Sequence, residues 1–167
     1  GMGAAWLLGG HSGIGKSRLL DEVRAMALIR GFCVARGETT QHGQRPLTLW
    51  HQPLRMLSLG VAMSDEEAST LEAVIPDLSV LQDRASNPGP KAVAPMEVAQ
   101  LTQVFLDVLR RQPQPVLLLL EDLQWADEES LAILRNVASH VVSLPMLVIA
   151  TYRSEEAPTL PEKLPEL

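Results

Sequence analysis

A doubly wound α/β fold, with a parallel sheet between helical layers, is what this sequence predicts, and three observations predict it. Short, largely apolar runs recur at residues 4–8, 32–36, 116–120 and 146–150, and runs without polar alternation read as strands covered on both faces. Stretches with apolar residues at helical spacing separate them. The first run passes through a glycine-rich turn into a helix, the strand-to-helix alternation of a parallel sheet.

Residues 4–8 form a short buried strand that ends at Gly9 and Gly10. From Ser17 a helix carries Leu20, Val23 and Ala27 on one side, and Gly31 stands where a C-terminal cap belongs. Residues 32–36 are the second buried strand, and the polar stretch 37–45 leads to Pro46. Leu47, Trp50, Leu54 and Leu57 recur at helical spacing, with Pro53 expected to kink that helix or start a new one. Ser64 and Glu67 make a capping box for a short helix through Ala68, Leu71 and Ile75 that Pro76 ends. Residues 77–84 allow one more helical turn, and the prolines of 85–95 mark an exposed loop. Residues 97–111 form an amphipathic helix with Leu101, Val104, Phe105 and Val108 as its stripe. Asp127, Glu128 and Glu129 open the next helix, ahead of Leu131, Leu134, Ala138 and Val141, with Asp127 as its N-cap. After Pro145 the fourth strand runs into Thr151, Tyr152 and Arg153.

The turn after the first strand reads Gly10, His11, Ser12, Gly13, Ile14, Gly15, Lys16, Ser17. It meets the G-x-x-x-x-G-K-[ST] phosphate-binding pattern at every fixed position. Backbone N–H groups must wrap a polyphosphate with no Cβ in the way, which glycine permits, and the helix that follows adds unpaired N–H groups and the positive end of its dipole. Lys16 supplies a mobile charge for the β- and γ-phosphates, and the Ser17 hydroxyl is a hard oxygen ligand of the kind Mg²⁺ prefers.

Glu121 and Asp122 follow the third strand directly and must emerge at the rim beside that turn. One carboxylate can hold Mg²⁺, directly or through water, while the other orients or deprotonates the water that attacks the γ-phosphate; the residues leave open which does which. Arg153 ends at the same rim if the fourth strand lies beside the third. There it senses the γ-phosphate, pairs with Glu121 or Asp122, or stands solvated at a loop start, alternatives that the residues alone do not separate.

Composition bounds these readings. At 167 residues and 46% hydrophobic the chain suits one domain, residues 1–167. A net charge of −6, with 14 scattered Lys and Arg, argues against a nucleic-acid surface on this domain. The single cysteine, Cys33, reads as a small core residue in a reducing, cytoplasmic compartment. No uninterrupted apolar run is longer than that of residues 116–120, which is too short to cross a membrane. Gly1 ahead of Met2 reads as a cloning remnant, and the Pro- and Glu-rich 154–167 as a linker or the start of a further element, so a domain cut from a longer protein is expected.

Three stretches together resemble the ATPase domain of STAND-type signalling proteins, within the wider AAA-like P-loop NTPase class. They are residues 13–20, then 117–127 with Leu123, Gln124, Trp125, Ala126 and Asp127, then 150–153. The branch most similar occurs in LuxR-type regulators and in proteins that fuse this ATPase to cyclases or serine/threonine kinases. The resemblance implies a three-layer αβα fold of the ASCE type with strand order 5-1-4-3-2. It implies a nucleotide site of Gly10, His11, Ser12, Gly13, Ile14, Gly15, Lys16, Ser17 and Arg18, with Ser17, Glu121 and Asp122 toward the metal. Lys16, Glu121, Asp122 and Arg153 would be catalytic.

Expected cofactors are ATP or ADP with Mg²⁺, and expected partners are attached domains of the same polypeptide and further copies of the chain. The expected function is an ATP-driven conformational switch with slow hydrolysis. The alternative is a P-loop interaction module that binds ATP without turnover. Against the family pattern, Glu121 stands where Asp is frequent and Gln124 where His is usual. A segment ahead of the first strand, a fifth strand and the helical lid are absent from the sequence, so this stretch alone is expected to turn over ATP weakly or not at all. No Asn-Lys-x-Asp stretch reads guanine, which disfavours a GTPase.

Overall fold

The computed structural model describes residues 3–41, 46–78 and 98–167. The expected loop at 85–95 and most of the turn at 77–84 lie outside them. Four strands, β1 (Ala4–Gly10), β2 (Cys33–Glu38), β3 (Val116–Glu121) and β4 (Met146–Arg153), form one sheet in the order β1-β4-β3-β2, and every neighbouring pair is parallel. The strand that ends in Arg153 therefore lies between the strand of the glycine-rich turn and the strand of the two acids, as the resemblance implies. Among the described residues the order is that of 1-4-3-2.

The helices are α1 (Lys16–Ile29), α2 (Thr48–Ser58), α3 (Asp65–Glu72), α4 (Val98–Arg110), α5 (Glu128–His140) and α6 (Leu160–Lys163). Side chains alternate across the central strand. Leu117 and Leu119 join Ile149, Leu20 and Ala27 beneath α1, while Leu118 and Leu120 join the larger core that α2, α3, α4 and α5 cover. All of β3 is buried, as a strand between two others and two helical layers must be. In residues 154–167, Leu160 and Leu164 are buried in the larger core.

Four expectations need correction. Neither β1 nor β2 is a buried strand: the residues of β1 are mostly half-exposed with Trp6 55% exposed, and in β2 only Ala35 and Gly37 are buried while Arg36 and Glu38 are exposed. Among the described residues β1 pairs only with β4, and α1 crosses from the end of β1 to lie over β2 and β3. Pro53 does not start a new helix, because α2 runs through it from Thr48 to Ser58 with Pro53 buried. Proline cannot donate to the Leu49 carbonyl one turn back, and that carbonyl instead meets the backbone of β2 at Gly37. A Cβ on Gly37 would clash with the Leu49 oxygen. Finally, α3 ends at Glu72, and Ile75 is buried in the turn that follows rather than in the helix.

The capping box forms as expected. The Glu67 N–H donates to Ser64 Oγ at 3.2 Å and the Ser64 N–H to Glu67 Oε2 at 2.8 Å. Arg111, just past α4, adds an ion pair to Glu67 at 2.5 Å that ties α3 to α4. The Ser64 backbone N–H, followed by Arg111, holds the Glu67 carboxyl below its ordinary value of 4.5 against a smaller opposing effect of burial. Glu67→Ala is expected to cost about 1 kcal/mol at neutral pH. A depressed carboxyl contributes stability above its unfolded value and loses it as pH falls through the folded one. The gap between wild type and variant in urea unfolding should therefore be full above pH 4.5 and close in more acidic buffer.

Candidate functional site

The site is built at the carboxyl ends of the parallel strands, where Gly10 of β1 registers with Arg153 of β4 and Glu121 of β3 with Glu38 of β2. Between β1 and α1 the chain turns through Gly13 at φ 79° and Gly15 at φ 101°, values that side-chain-bearing residues rarely adopt. Neither glycine has a neighbour that a Cβ would meet, so backbone conformation, not space, demands them. α1 begins at Lys16 with Gly15 as N-cap, no acidic residue in its first turn and no capping side chain among the described residues. Its first N–H groups thus face the loop mouth without an internal acceptor.

Lys16 arches across the loop, its Nζ donating to the carbonyls of Gly10 at 2.6 Å and His11 at 3.0 Å. Ser17 and Arg18 are exposed on the first turn of α1, and His11, Ser12 and Ile14 are exposed on the loop. Glu155, beyond the end of β4, reaches this mouth. Its Oε1 accepts the Ser12 N–H at 2.8 Å and its Oε2 lies 3.4 Å from His11 Nδ1. Its own backbone N–H and that of Ser12 keep the Glu155 carboxyl below the usual range, so it is anionic at neutral pH.

The two adjacent acids part at the end of β3. Asp122 takes the left-handed conformation at φ 57°, which Asp tolerates better than most residues, and opens a short 3-10 turn, Leu123–Trp125. Glu121 is 5% exposed and points to β2, where Arg36 donates to its Oε1 from Nε at 2.5 Å. Asp122 faces β4. Gln124 Nε2 donates to its Oδ1 at 3.0 Å, and Arg153 Nε lies 3.7 Å from the same oxygen.

Gln124, whose role the sequence leaves unassigned, joins the two strands, because its Oε1 also accepts the Arg153 N–H at 3.0 Å. The Arg153 guanidinium lies 5.1 Å from the Trp125 ring centroid and donates to Glu156 Oε1 at 2.8 Å. That hydrogen bond, with the nearby carboxylates, raises the Arg153 pKa above its ordinary value. Thr39, at the end of β2, pins the Asp122 backbone by donating from Oγ1 to its carbonyl at 2.5 Å.

Asp127 stands apart as the N-cap of α5, its Oδ1 accepting the Ser130 N–H at 2.7 Å and its Oδ2 the Leu47 N–H at 3.0 Å. Sequence reasoning missed Arg36, Thr39 and Glu155. Only Arg36 left a signal, a charge at the end of the otherwise apolar run 32–36; Thr39 and Glu155 meet the site across sequence separations that no local pattern reports.

A family model described as the AAA ATPase domain matches residues 1–149. The chain belongs to the AAA ATPase domain family. None of the curated proteins matches it. Two solved chains are similar at 13% identity, one from Drosophila ORC bound to poly(dA/dT) DNA and Cdc6, at a TM-score of 0.37, the other from Drosophila ORC bound to AT-rich DNA and Cdc6, at 0.35. Each match covers 98% of this chain and 27% of the other, so the chain spans about a quarter of the length of those it matches.

As an AAA ATPase domain with this parallel sheet, the chain has a P-loop nucleotide-binding fold. The hard oxygens of Ser17, Glu121 and Asp122 suit Mg²⁺. Among the described residues no cluster of three or more His, Cys, Asp or Glu could hold a metal alone. A metal here would share its coordination with phosphate oxygens, the habit of Mg²⁺ at nucleotide sites. Among the described residues, no helix is long and apolar enough to cross a membrane.

Proposed function

We propose that this domain binds ATP and ADP with Mg²⁺ at the loop of residues 10–17, hydrolyses ATP slowly, and serves as a conformational switch in a signal-transduction regulator. Output is carried by attached domains of the same polypeptide, with self-association of the switched state. One observation carries the reading. At the carboxyl ends of three adjoining strands stand the uncapped start of α1 with Lys16, the pair Glu121 and Asp122, and Arg153, with Gln124 joining Asp122 to Arg153.

In this reading the loop N–H groups and the first turn of α1 hold the β-phosphate, and Lys16 turns from the Gly10 and His11 carbonyls to the β- and γ-phosphates. Ser17 and Glu121 would hold the metal, which when bound would offset the charge of the phosphates. Asp122, half-open to solvent, orients the attacking water and accepts its proton. Arg153 already touches Asp122, so a γ-phosphate that draws the guanidinium away would be felt by Gln124 and by the end of β4. That contact gives the switch a physical route.

Turnover and ATP-dependent thermal stabilisation of the wild type and Asp122→Asn test this together. Stabilisation retained in the variant, with turnover lowered by about 100-fold or more, is expected for a positioned base. Turnover indifferent to Asp122→Asn would sink the assignment of the base. Stabilisation without turnover in either protein would leave the interaction module.

A further inference from the structure

The Arg36 side chain has no part in the reading above, yet it makes the closest charged contact to either acid. It rises from β2 on the α1 side of the sheet and places both Nε and Nη2 2.5 Å from Glu121 Oε1. Its Nη1 lies 3.4 Å from Asp21 Oδ1, one helical turn beyond Ser17 on α1. Among the described residues Arg36 is the only cation paired with Glu121, whose Oε2 has no partner there. Arg36 itself is half-open to solvent, with 42% of its side chain exposed.

We infer that Arg36 is a positioning residue that competes with Mg²⁺ for Glu121: it occupies Oε1, turns Oε2 toward the nucleotide, and sets how much metal the site requires. The inference rests on the Mg·ATP reading and deepens it. A buried carboxylate needs a positive partner, and Arg36 meets that need before any metal arrives. A guanidinium held on one carboxylate oxygen repels a second cation approaching the other, by an amount that depends on distance and on how little water screens the two charges. Mg²⁺ therefore binds a Glu121 that is already half-neutralised. The Asp21 carboxylate offers the guanidinium a second partner when it yields Oε1.

The test is a Mg²⁺ titration at fixed, saturating ATP, read by thermal unfolding, on the wild type, Arg36→Met, Arg36→Lys and the double variant Arg36→Met/Glu121→Gln. Met keeps the apolar stem and removes the charge. The Mg²⁺ concentration giving half the stabilisation should fall by about tenfold in Arg36→Met, the order expected on removing one like charge beside the metal at a partly screened site. In EDTA the same variant should melt below the wild type, and Mg²⁺ should recover the difference. Arg36→Lys keeps the charge but loses the fork, so its half-saturating Mg²⁺ should lie between the two. The double variant should lose the gain.

Half-saturating Mg²⁺ unchanged in Arg36→Met, with only a uniform loss of stability, would make Arg36 a structural ion pair and overturn the inference. Should Arg36→Met not fold, Arg36→Lys decides: a lowered Mg²⁺ requirement supports the inference and an unchanged one overturns it. Failure of ATP with Mg²⁺ to stabilise the wild type at all would overturn the parent reading, and this one with it.

Discussion

Lys16→Ala is expected to lose nearly all the thermal stabilisation that Mg·ATP gives the wild type. A ligand at about 100 times its Kd adds about 2.7 kcal/mol, which for a domain of this size raises Tm by about 5–10 °C. Scanning fluorimetry with and without millimolar Mg·ATP measures the difference. The ligand-free Tm should hardly change, because the hydrogen bonds of Lys16 go to two carbonyls of its own loop, on a part-exposed surface. A mutation that removes stabilisation by ligand but not the stability of the free protein separates phosphate binding from folding. Stabilisation equal in the two proteins would mean that the lysine does not meet the phosphates.

Trp50→Ala is expected to abolish cooperative unfolding. Trp50 is fully buried on α2, meets Phe105 of α4 edge-on at 5.2 Å, and donates from Nε1 to the Ser130 carbonyl of α5 at 3.1 Å. It thus joins three helices on one face of the sheet. Emptying such a site costs about 3–5 kcal/mol, and the lost hydrogen bond to a carbonyl that keeps its helical partner adds about 1 kcal/mol. The sum reaches the lower end of the whole stability of a typical domain, about 5–15 kcal/mol. Trp50→Phe keeps most of the packing and loses the hydrogen bond, so urea unfolding should show a cooperative transition at lower midpoint. The site would suffer as well, since α2 lies along β2, which carries Arg36 and Thr39.

The site was legible in the sequence where its chemistry is local. The phosphate loop spans consecutive residues, and its fixed glycines declare a backbone shape; Gly13 and Gly15 adopt it at positive φ. The capping box at Ser64 and the N-cap at Asp127 are likewise contacts across three residues. Glu121 and Asp122 announced themselves by following a fully apolar strand, but their neighbours did not. The left-handed turn at Asp122 sends one acid toward Arg36 and the other toward Gln124 and Arg153, a division invisible in a dipeptide. The exposure of β1 was hidden for a similar reason. Its residues are as apolar as those of a buried strand, and only its place, last in the sheet among the described residues, leaves Trp6 in solvent.

By itself, then, the sequence determined the alternation of strands and helices and the phosphate loop, because hydrophobic period and glycine conformation act over a few residues. It also determined the family, through motifs spread along the chain. Only the tertiary structure decided which charges meet. Arg36 reaches Glu121 across 85 residues and Glu155 reaches Ser12 across 143. Such pairs depend on strand order and register, which follow from how the whole chain buries its two apolar layers, and no local window of sequence contains that information.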